Sequence, residues 1–82
     1  MRMEETTLEL IAIGASVSAN CPPCVKCHVA KACTMQIDEA DIRRVIDVGK
    51  MVRKGAAEQM DELISGITRE PLSGIRSNSD GK

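Results

Sequence analysis

The sequence has 82 residues, eleven basic and twelve acidic residues that give a net charge of −1, and no Phe, Tyr or Trp. This length allows one small domain. The balanced charge and the absence of aromatic side chains argue against nucleic-acid binding, which uses basic and aromatic side chains. Because aliphatic side chains alone give a small core little stability, we expect a homo-oligomer.

The first predicted helix begins at Thr6 or Thr7 and ends at Ala19. Its apolar residues almost encircle the helix, so it should be nearly surrounded by protein. They are Leu8, Leu10, Ile11, Ala12, Ile13, Ala15, Val17 and Ala19. Glu9 stands three residues after Thr6, which is the spacing of a capping box, where the carboxylate binds the backbone N–H of the N-cap residue. The spacing alone favours this structural role for Glu9.

The N-terminal region has some features of a secretory signal peptide, because the apolar run Leu10–Ala19 ends in small residues. However, Glu4, Glu5 and Glu9 interrupt the charge pattern of such a peptide, and the run is short. No stretch approaches the ~20 apolar residues of a membrane span. We therefore expect a cytoplasmic protein that does not bind a membrane.

All four cysteines and the only histidine lie between Asn20 and Cys33. A secreted disulfide framework spreads its cysteines along the chain to join distant segments. The clustering seen here is instead typical of a reactive or ligand-binding site. Pro22 and Pro23 are tolerated in the first turn of a helix, so a second helix is predicted from Pro22 to Cys33 or Thr34.

Cys21, Cys24 and His28 fall on one face of this helix, since residues at i, i+3 and i+7 are neighbours. The N–H groups and positive dipole at the helix start favour thiolate over thiol, which predicts a lowered pKa for the Cys21 and Cys24 thiols. This pair can form a disulfide with little backbone movement, and His28 can exchange a proton near neutral pH. For Cys27 and Cys33 we expect buried or semi-buried structural roles, although Cys27 could compete for a disulfide with Cys24.

The third predicted helix has the clearest start signal in the chain. Asp38 is a suitable N-cap, and Ile37 and Ile42 occupy the positions of a hydrophobic staple. Gly49 lies on the apolar stripe, where the absence of a side chain lets another helix approach closely. A basic residue followed by glycine is typical of a helix end, so this helix is predicted to end at Lys54–Gly55.

A fourth helix is predicted from Ala56 to Ile67, with an apolar stripe of its own. The following polar run is rich in Ser, Gly and Pro, and predicts a flexible tail over residues 68–82 after a helical domain at 1–67. The predicted fold class is all-α, a small bundle of about four helices that oligomerisation completes.

The motif Cys21-x-x-Cys24-x-x-x-His28 follows an acidic residue, Glu9, placed twelve positions before the first cysteine. This pattern resembles the AhpD-like members of the carboxymuconolactone decarboxylase family over roughly residues 5–66. Members that keep both cysteines are thiol–disulfide oxidoreductases, some with weak alkyl hydroperoxidase activity. The resemblance implies an AhpD-like helical fold assembled as a trimer or hexamer.

The resemblance also implies roles for the motif residues. Cys24 would be the attacking thiolate, Cys21 its disulfide partner, and His28 with Glu9 a proton relay. A hydroperoxide or disulfide substrate is implied, with a thiol reductant partner that is lipoyl-bearing or thioredoxin-like. Pro23 stands where the best-known branch often has histidine, a departure that affects peroxidase activity more than disulfide exchange. The relay and capping roles of Glu9 stay open as alternatives.

We therefore expect a thiol–disulfide oxidoreductase or alkylhydroperoxidase-like peroxidase that uses no cofactor and no metal. The alternative is a module that binds zinc or an iron–sulfur cluster through the Cys/His cluster, whose spacing partly matches an iron–sulfur motif. A regular helix would spread those ligands too widely for one tetrahedral metal. A helical assembly module with inert thiols, and a lactone decarboxylase-like activity suggested only by the family name, are further alternatives.

Overall fold

A computed structural model describes residues 3–69 and 71–72, and this part of the chain forms three helices. They are α1 at Glu5–Ser18, α2 at Pro22–Thr34 and α3 at Glu39–Thr68. The described residues contain no strand, which confirms the predicted all-α class. None of these helices combines the length and the apolar character needed to cross a bilayer.

The expected fourth helix is not a separate element, because α3 continues through Gly55. Glycines in the described residues have no positive φ angles, so Gly55 does not form the left-handed cap that ends many helices. An isolated glycine costs a helix only about 1 kcal/mol. The residues around it, Lys54 and Ala56–Met60, are mostly strong helix formers without a proline. The predicted helix end at Lys54–Gly55 is therefore wrong.

The predicted flexible tail, residues 68–82, lies outside the described residues except for 68–69 and 71–72. The helical part ends at Thr68, one residue after the predicted end at Ile67. The Thr68 hydroxyl donates a hydrogen bond to the Ile64 carbonyl at 2.9 Å. Pro71 follows shortly, as is common just beyond a helix end.

The turn between α1 and α2 is a Schellman motif centred on Asn20, whose φ is 58°. The N–H of Asn20 donates to the Val17 carbonyl, and the N–H of Cys21 donates to the Ser16 carbonyl. Asparagine is one of the few non-glycine residues that often adopt this left-handed conformation. The motif reverses the chain and places Cys21 directly at the start of α2.

The turn between α2 and α3 is built in the same way. Gln36 has a φ of 61°, and the N–H of Ile37 donates to the Ala32 carbonyl. The side chain of Asp38 then accepts a hydrogen bond from the N–H of Ala40 at 3.0 Å. Asp38 is thus the N-cap of α3, which confirms the predicted start of this helix.

The buried core of the described residues is small. Its hydrophobic members are Ile13, Val17, Ala32 and Ile42. Ile37 packs against the cluster that contains Ile42, as the predicted hydrophobic staple requires. Further side chains around the core are only partly buried, namely Leu10, Val29, Val45 and Ile46. A core of this size stabilises a single chain only marginally.

α1 and α3 approach each other closely at Gly49, which is buried. A Cβ atom at this position would lie 2.7 Å from the carbonyl oxygen of Gly14 and 2.7 Å from Cβ of Val17. Real Cβ atoms do not come so close to such neighbours, so any larger residue would push the helices apart. The prediction that Gly49 lets another helix approach is confirmed.

We expect Gly49→Ala to lower the free energy of unfolding by about 1–3 kcal/mol, because the added methyl overpacks the contact between α1 and α3. The matched control is Gly55→Ala, since a Cβ there has no neighbour within 4 Å. In a continuous helix this control should raise stability by about 0.5–1 kcal/mol. Urea unfolding followed by circular dichroism measures both changes. Destabilisation by Gly55→Ala would show a helix end at this position and contradict a continuous α3.

Candidate redox site

The start of α2 carries a disulfide bond between Cys21 and Cys24. Their Cα atoms are 5.3 Å apart, within the usual range for a disulfide. Cys21 is the N-cap residue, and Pro22 and Pro23 occupy the first two helical positions. The prolines thus begin the helix between the two cysteines, as the sequence predicted.

The position of Cys24 in the first turn of α2 determines its electrostatic surroundings. Backbone N–H groups of a first turn have no acceptor within the helix, and they form the positive end of its dipole. The first turn of α2 contains no acidic residue that would oppose this field. After reduction of the disulfide, a thiolate at Cys24 would therefore be stabilised by the helix start.

A hydrogen bond joins α1 to α2 through Glu9 and His28. Nδ1 of His28 lies 2.6 Å from Oε2 of Glu9, and Glu9 is only 5% exposed. An ionised carboxylate can only accept hydrogen bonds, so Nδ1 of His28 carries the proton and donates it. In the neutral imidazole this leaves Nε2 as the basic nitrogen.

The capping-box alternative for Glu9 is wrong. The N-cap of α1 is Glu4, which makes no side-chain capping bond, and the helix already includes Thr6. The chain reversal after α1 brings α2 against this face, where His28 satisfies the buried carboxylate. A tertiary contact thus takes the place of the local bond that the sequence spacing favoured.

The second oxygen of Glu9 faces Lys31, one turn further along α2. Nζ of Lys31 lies 3.6 Å from Oε1 of Glu9, and the lysine side chain is 61% exposed. Because the lysine is exposed and the two atoms are 3.6 Å apart, this ion pair contributes little energy. Lys31 is not among the predicted site residues, although its position three residues after His28 on the same helix could have indicated it.

Cys24 and His28 lie one helical turn apart, so their Cβ atoms are about 5–6 Å from each other. The structure therefore brings the four predicted site residues together as two bonded pairs on adjoining elements. Cys21 is bonded to Cys24, and His28 to Glu9. One face of α2 thus carries a disulfide one helical turn before a hydrogen-bonded imidazole.

The remaining cysteines, Cys27 and Cys33, are exposed free thiols. The expectation that they are buried or semi-buried is wrong. The physical reason is that α2 packs on its neighbours along a narrow face, where Ala32 is its one buried residue. Neither cysteine is among the residues that this face buries.

Metal coordination was the second interpretation of the cysteine cluster. Across residues 3–69 and 71–72, no three His, Cys, Asp or Glu side chains are grouped so that they could hold a metal ion. The metal-binding alternative gains no support from this geometry.

Comparison with known proteins gives one match. The model of the carboxymuconolactone decarboxylase family matches residues 2–61, a region that includes α1, α2 and the first part of α3. All four residues of the candidate site lie inside it. Searches of curated proteins and of solved structures return no significant match.

We expect Glu9→Leu to change the tautomer of His28 from mainly Nδ1–H to mainly Nε2–H, because the acceptor that holds the Nδ1 proton is removed. Nitrogen-15 NMR of the neutral imidazole distinguishes the two forms. Glu39→Gln removes an exposed carboxylate on α3 and should leave the tautomer unchanged. An unchanged tautomer in Glu9→Leu would contradict the hydrogen bond.

Proposed function

The chain belongs to the carboxymuconolactone decarboxylase family, and from that membership we propose that it is a thiol–disulfide oxidoreductase of the AhpD-like branch, with alkylhydroperoxidase-like activity. The observation that carries this proposal is the disulfide at the start of α2, one helical turn before an imidazole that is bonded to a buried carboxylate. These are the parts that thiol redox chemistry needs: a sulfur pair, a stabilised thiolate and a positioned base.

With a hydroperoxide, the thiolate of Cys24 attacks the terminal oxygen, the O–O bond breaks, and Cys24 becomes a sulfenic acid. His28 delivers the proton with which the alcohol leaves. The thiolate of Cys21 then attacks the sulfur of Cys24, and the oxygen leaves as water after taking up a proton. Two thiols and one hydroperoxide thus yield one disulfide, one alcohol and one water.

With a disulfide substrate, the dithiol form attacks one substrate sulfur and forms a mixed disulfide. The second cysteine then displaces the substrate as a thiol and closes the bond between Cys21 and Cys24. A thiol reductant returns the pair to the dithiol form. For the AhpD-like branch, a lipoyl-bearing or thioredoxin-like partner would fill that role.

Glu9 acts in this proposal as the residue that orients the base. Its hydrogen bond fixes the ring of His28 and keeps the proton on Nδ1, so that Nε2 is the atom that takes and returns protons. Pro23 supplies no second imidazole beside the cysteines, and we therefore expect disulfide exchange to be faster than peroxide reduction.

We expect Cys24→Ser to lower the rate with a model disulfide or a hydroperoxide at least about a hundredfold, because the hydroxyl is a far weaker nucleophile than a thiolate. Dihydrolipoamide oxidation measures the turnover. Cys33→Ser is the matched control, since it removes an exposed thiol at the other end of α2, and its rate should stay within about twofold of the unaltered protein. Equal activity of the two variants would refute the assignment of Cys24.

A reducing compartment such as the cytoplasm is part of the proposal. Cys27 and Cys33 are exposed and free, and exposed free thiols are typical of proteins kept under reducing conditions. The same conditions would regenerate the dithiol form of the redox pair.

We also propose that the protein assembles as a homo-oligomer, with a trimer or hexamer implied by the family resemblance. The second half of α3 supports assembly, because its described residues from 56 onwards are all exposed. Large apolar side chains recur there at helical spacing, at Met60, Leu63, Ile64 and Ile67, and each is more than a third exposed. A contiguous apolar stripe of this kind marks an interaction surface.

We expect Leu63→Glu to shift the protein towards the 8.8 kDa monomer, because it places a charge in the apolar stripe where an interface would bury it. Sedimentation velocity measures the change. Ser65→Glu introduces the same charge two residues away, on the opposite side of α3, and should leave the assembly intact. A monomeric unaltered protein, or equal behaviour of the two variants, would contradict assembly through this stripe.

A further inference from the structure

A groove beside the disulfide is lined by charged and apolar side chains that the proposed chemistry does not use. It encloses about 540 Å³ between the end of α1, the start of α2 and the middle of α3. This volume is typical of sites for small molecules. The groove includes Cys21, and its apolar wall includes Val25 and Ile46.

The charged side chains of the groove all have the same sign. Lys26 from α2 and Lys50 and Arg53 from α3 line it, and no acidic side chain does. Arg53 is held there by a hydrogen bond of 3.2 Å from its guanidinium to Oδ1 of Asn20. Since the whole chain has a net charge of −1, this is a local concentration of positive charge rather than a general property of the surface.

The groove distinguishes the two sulfurs of the disulfide. Cys21 is part of its lining and Cys24 is not. A molecule bound in the groove therefore meets the sulfur of Cys21. Which sulfur of a disulfide is attacked decides which cysteine leaves as the thiolate, and attack on Cys21 releases Cys24 at the helix start, where a thiolate is stabilised.

We propose that this groove binds a low-molecular-weight thiol that carries a carboxylate or another anionic group, and that this thiol reduces the disulfide through Cys21. The inference rests on the proposed function and assigns the reductant role to a small anionic thiol, in place of a lipoyl-bearing or thioredoxin-like partner. The basic side chains hold the anionic group, and the wall formed by Val25 and Ile46 contacts the carbon chain that joins it to the sulfur.

The reduction proceeds in two exchange steps. The thiolate of the bound thiol attacks Sγ of Cys21, the bond to Cys24 breaks, and Cys24 leaves as a thiolate. The thiolate of a second reductant molecule then attacks the first reductant's sulfur in the mixed disulfide, and Cys21 is released as a thiolate. Two electrons pass to the protein, two reductant thiols become one disulfide, and their two protons pass to the cysteine pair or to solvent.

The test measures how fast three small thiols reduce the oxidised protein and its Lys26→Gln/Lys50→Gln variant. The thiols are 3-mercaptopropionate, which is anionic, 2-mercaptoethanol, which is neutral, and cysteamine, which is cationic. The ratio of the two proteins' rates is taken for each thiol, so that the thiol's own reactivity cancels.

We expect the variant to be reduced about tenfold more slowly than the unaltered protein by the anionic thiol. With the neutral thiol, the reduction rates of the variant and the unaltered protein should differ less than about twofold. With the cationic thiol, the variant should be reduced faster than the unaltered protein. About 0.5 M NaCl should remove these differences, because salt screens exposed charges.

The control variant is Arg44→Gln/Lys54→Gln, which also removes two positive charges from the protein but none from the groove. It should behave like the unaltered protein with all three thiols. Equal slowing of all three thiols by the groove variant, or equal slowing with the anionic thiol by both variants, would overturn the inference while leaving the proposed function intact. If no thiol converts the pair at Cys21 and Cys24 in the unaltered protein, the proposed function itself fails.

Discussion

The hydrogen bond between Glu9 and His28 is the contact on which the arrangement of α1 and α2 depends. A carboxylate that is 5% exposed costs several kcal/mol unless it is paired, so Glu9 requires a partner on the facing helix. His28 provides it at 2.6 Å, and this sets how α2 lies on α1. The Schellman turn at Asn20 makes the pairing possible by reversing the chain over three residues. The same reversal puts the disulfide at the first turn of α2, next to the oriented imidazole.

Several features could be predicted from the sequence because a few neighbouring residues determine them. Two prolines tolerated in a first helical turn indicate the start of α2, and Asp38 indicates the start of α3. The spacing of Cys21 and Cys24 predicts a pair that can bond, and the structure contains that bond. Gly49 on the apolar stripe predicts a point of close helix approach, because a position without a side chain lets a neighbouring backbone come near.

Other features depend on contacts between distant residues, and local patterns gave the wrong answer for them. Glu9 has the spacing of a capping box with Thr6, but its carboxylate is buried against α2 and binds His28 instead. Lys54–Gly55 resembles a helix end, yet the helix-forming residues on both sides outweigh one glycine. The exposure of Cys27 and Cys33 follows from how narrow the packed face of α2 is. The basic groove could not be predicted, because its lysines and arginine come from two helices that only the fold brings together.

The proposed redox role of Cys21 and Cys24 is tested most directly by disulfide mapping. The fully reduced protein is treated with one equivalent of a hydroperoxide, remaining thiols are alkylated, and the peptides are identified by mass spectrometry. The predicted result is one bond, between Cys21 and Cys24, with Cys27 and Cys33 alkylated in full. A bond that contains Cys27 or Cys33, or a protein whose four thiols all remain alkylatable, would contradict the redox site.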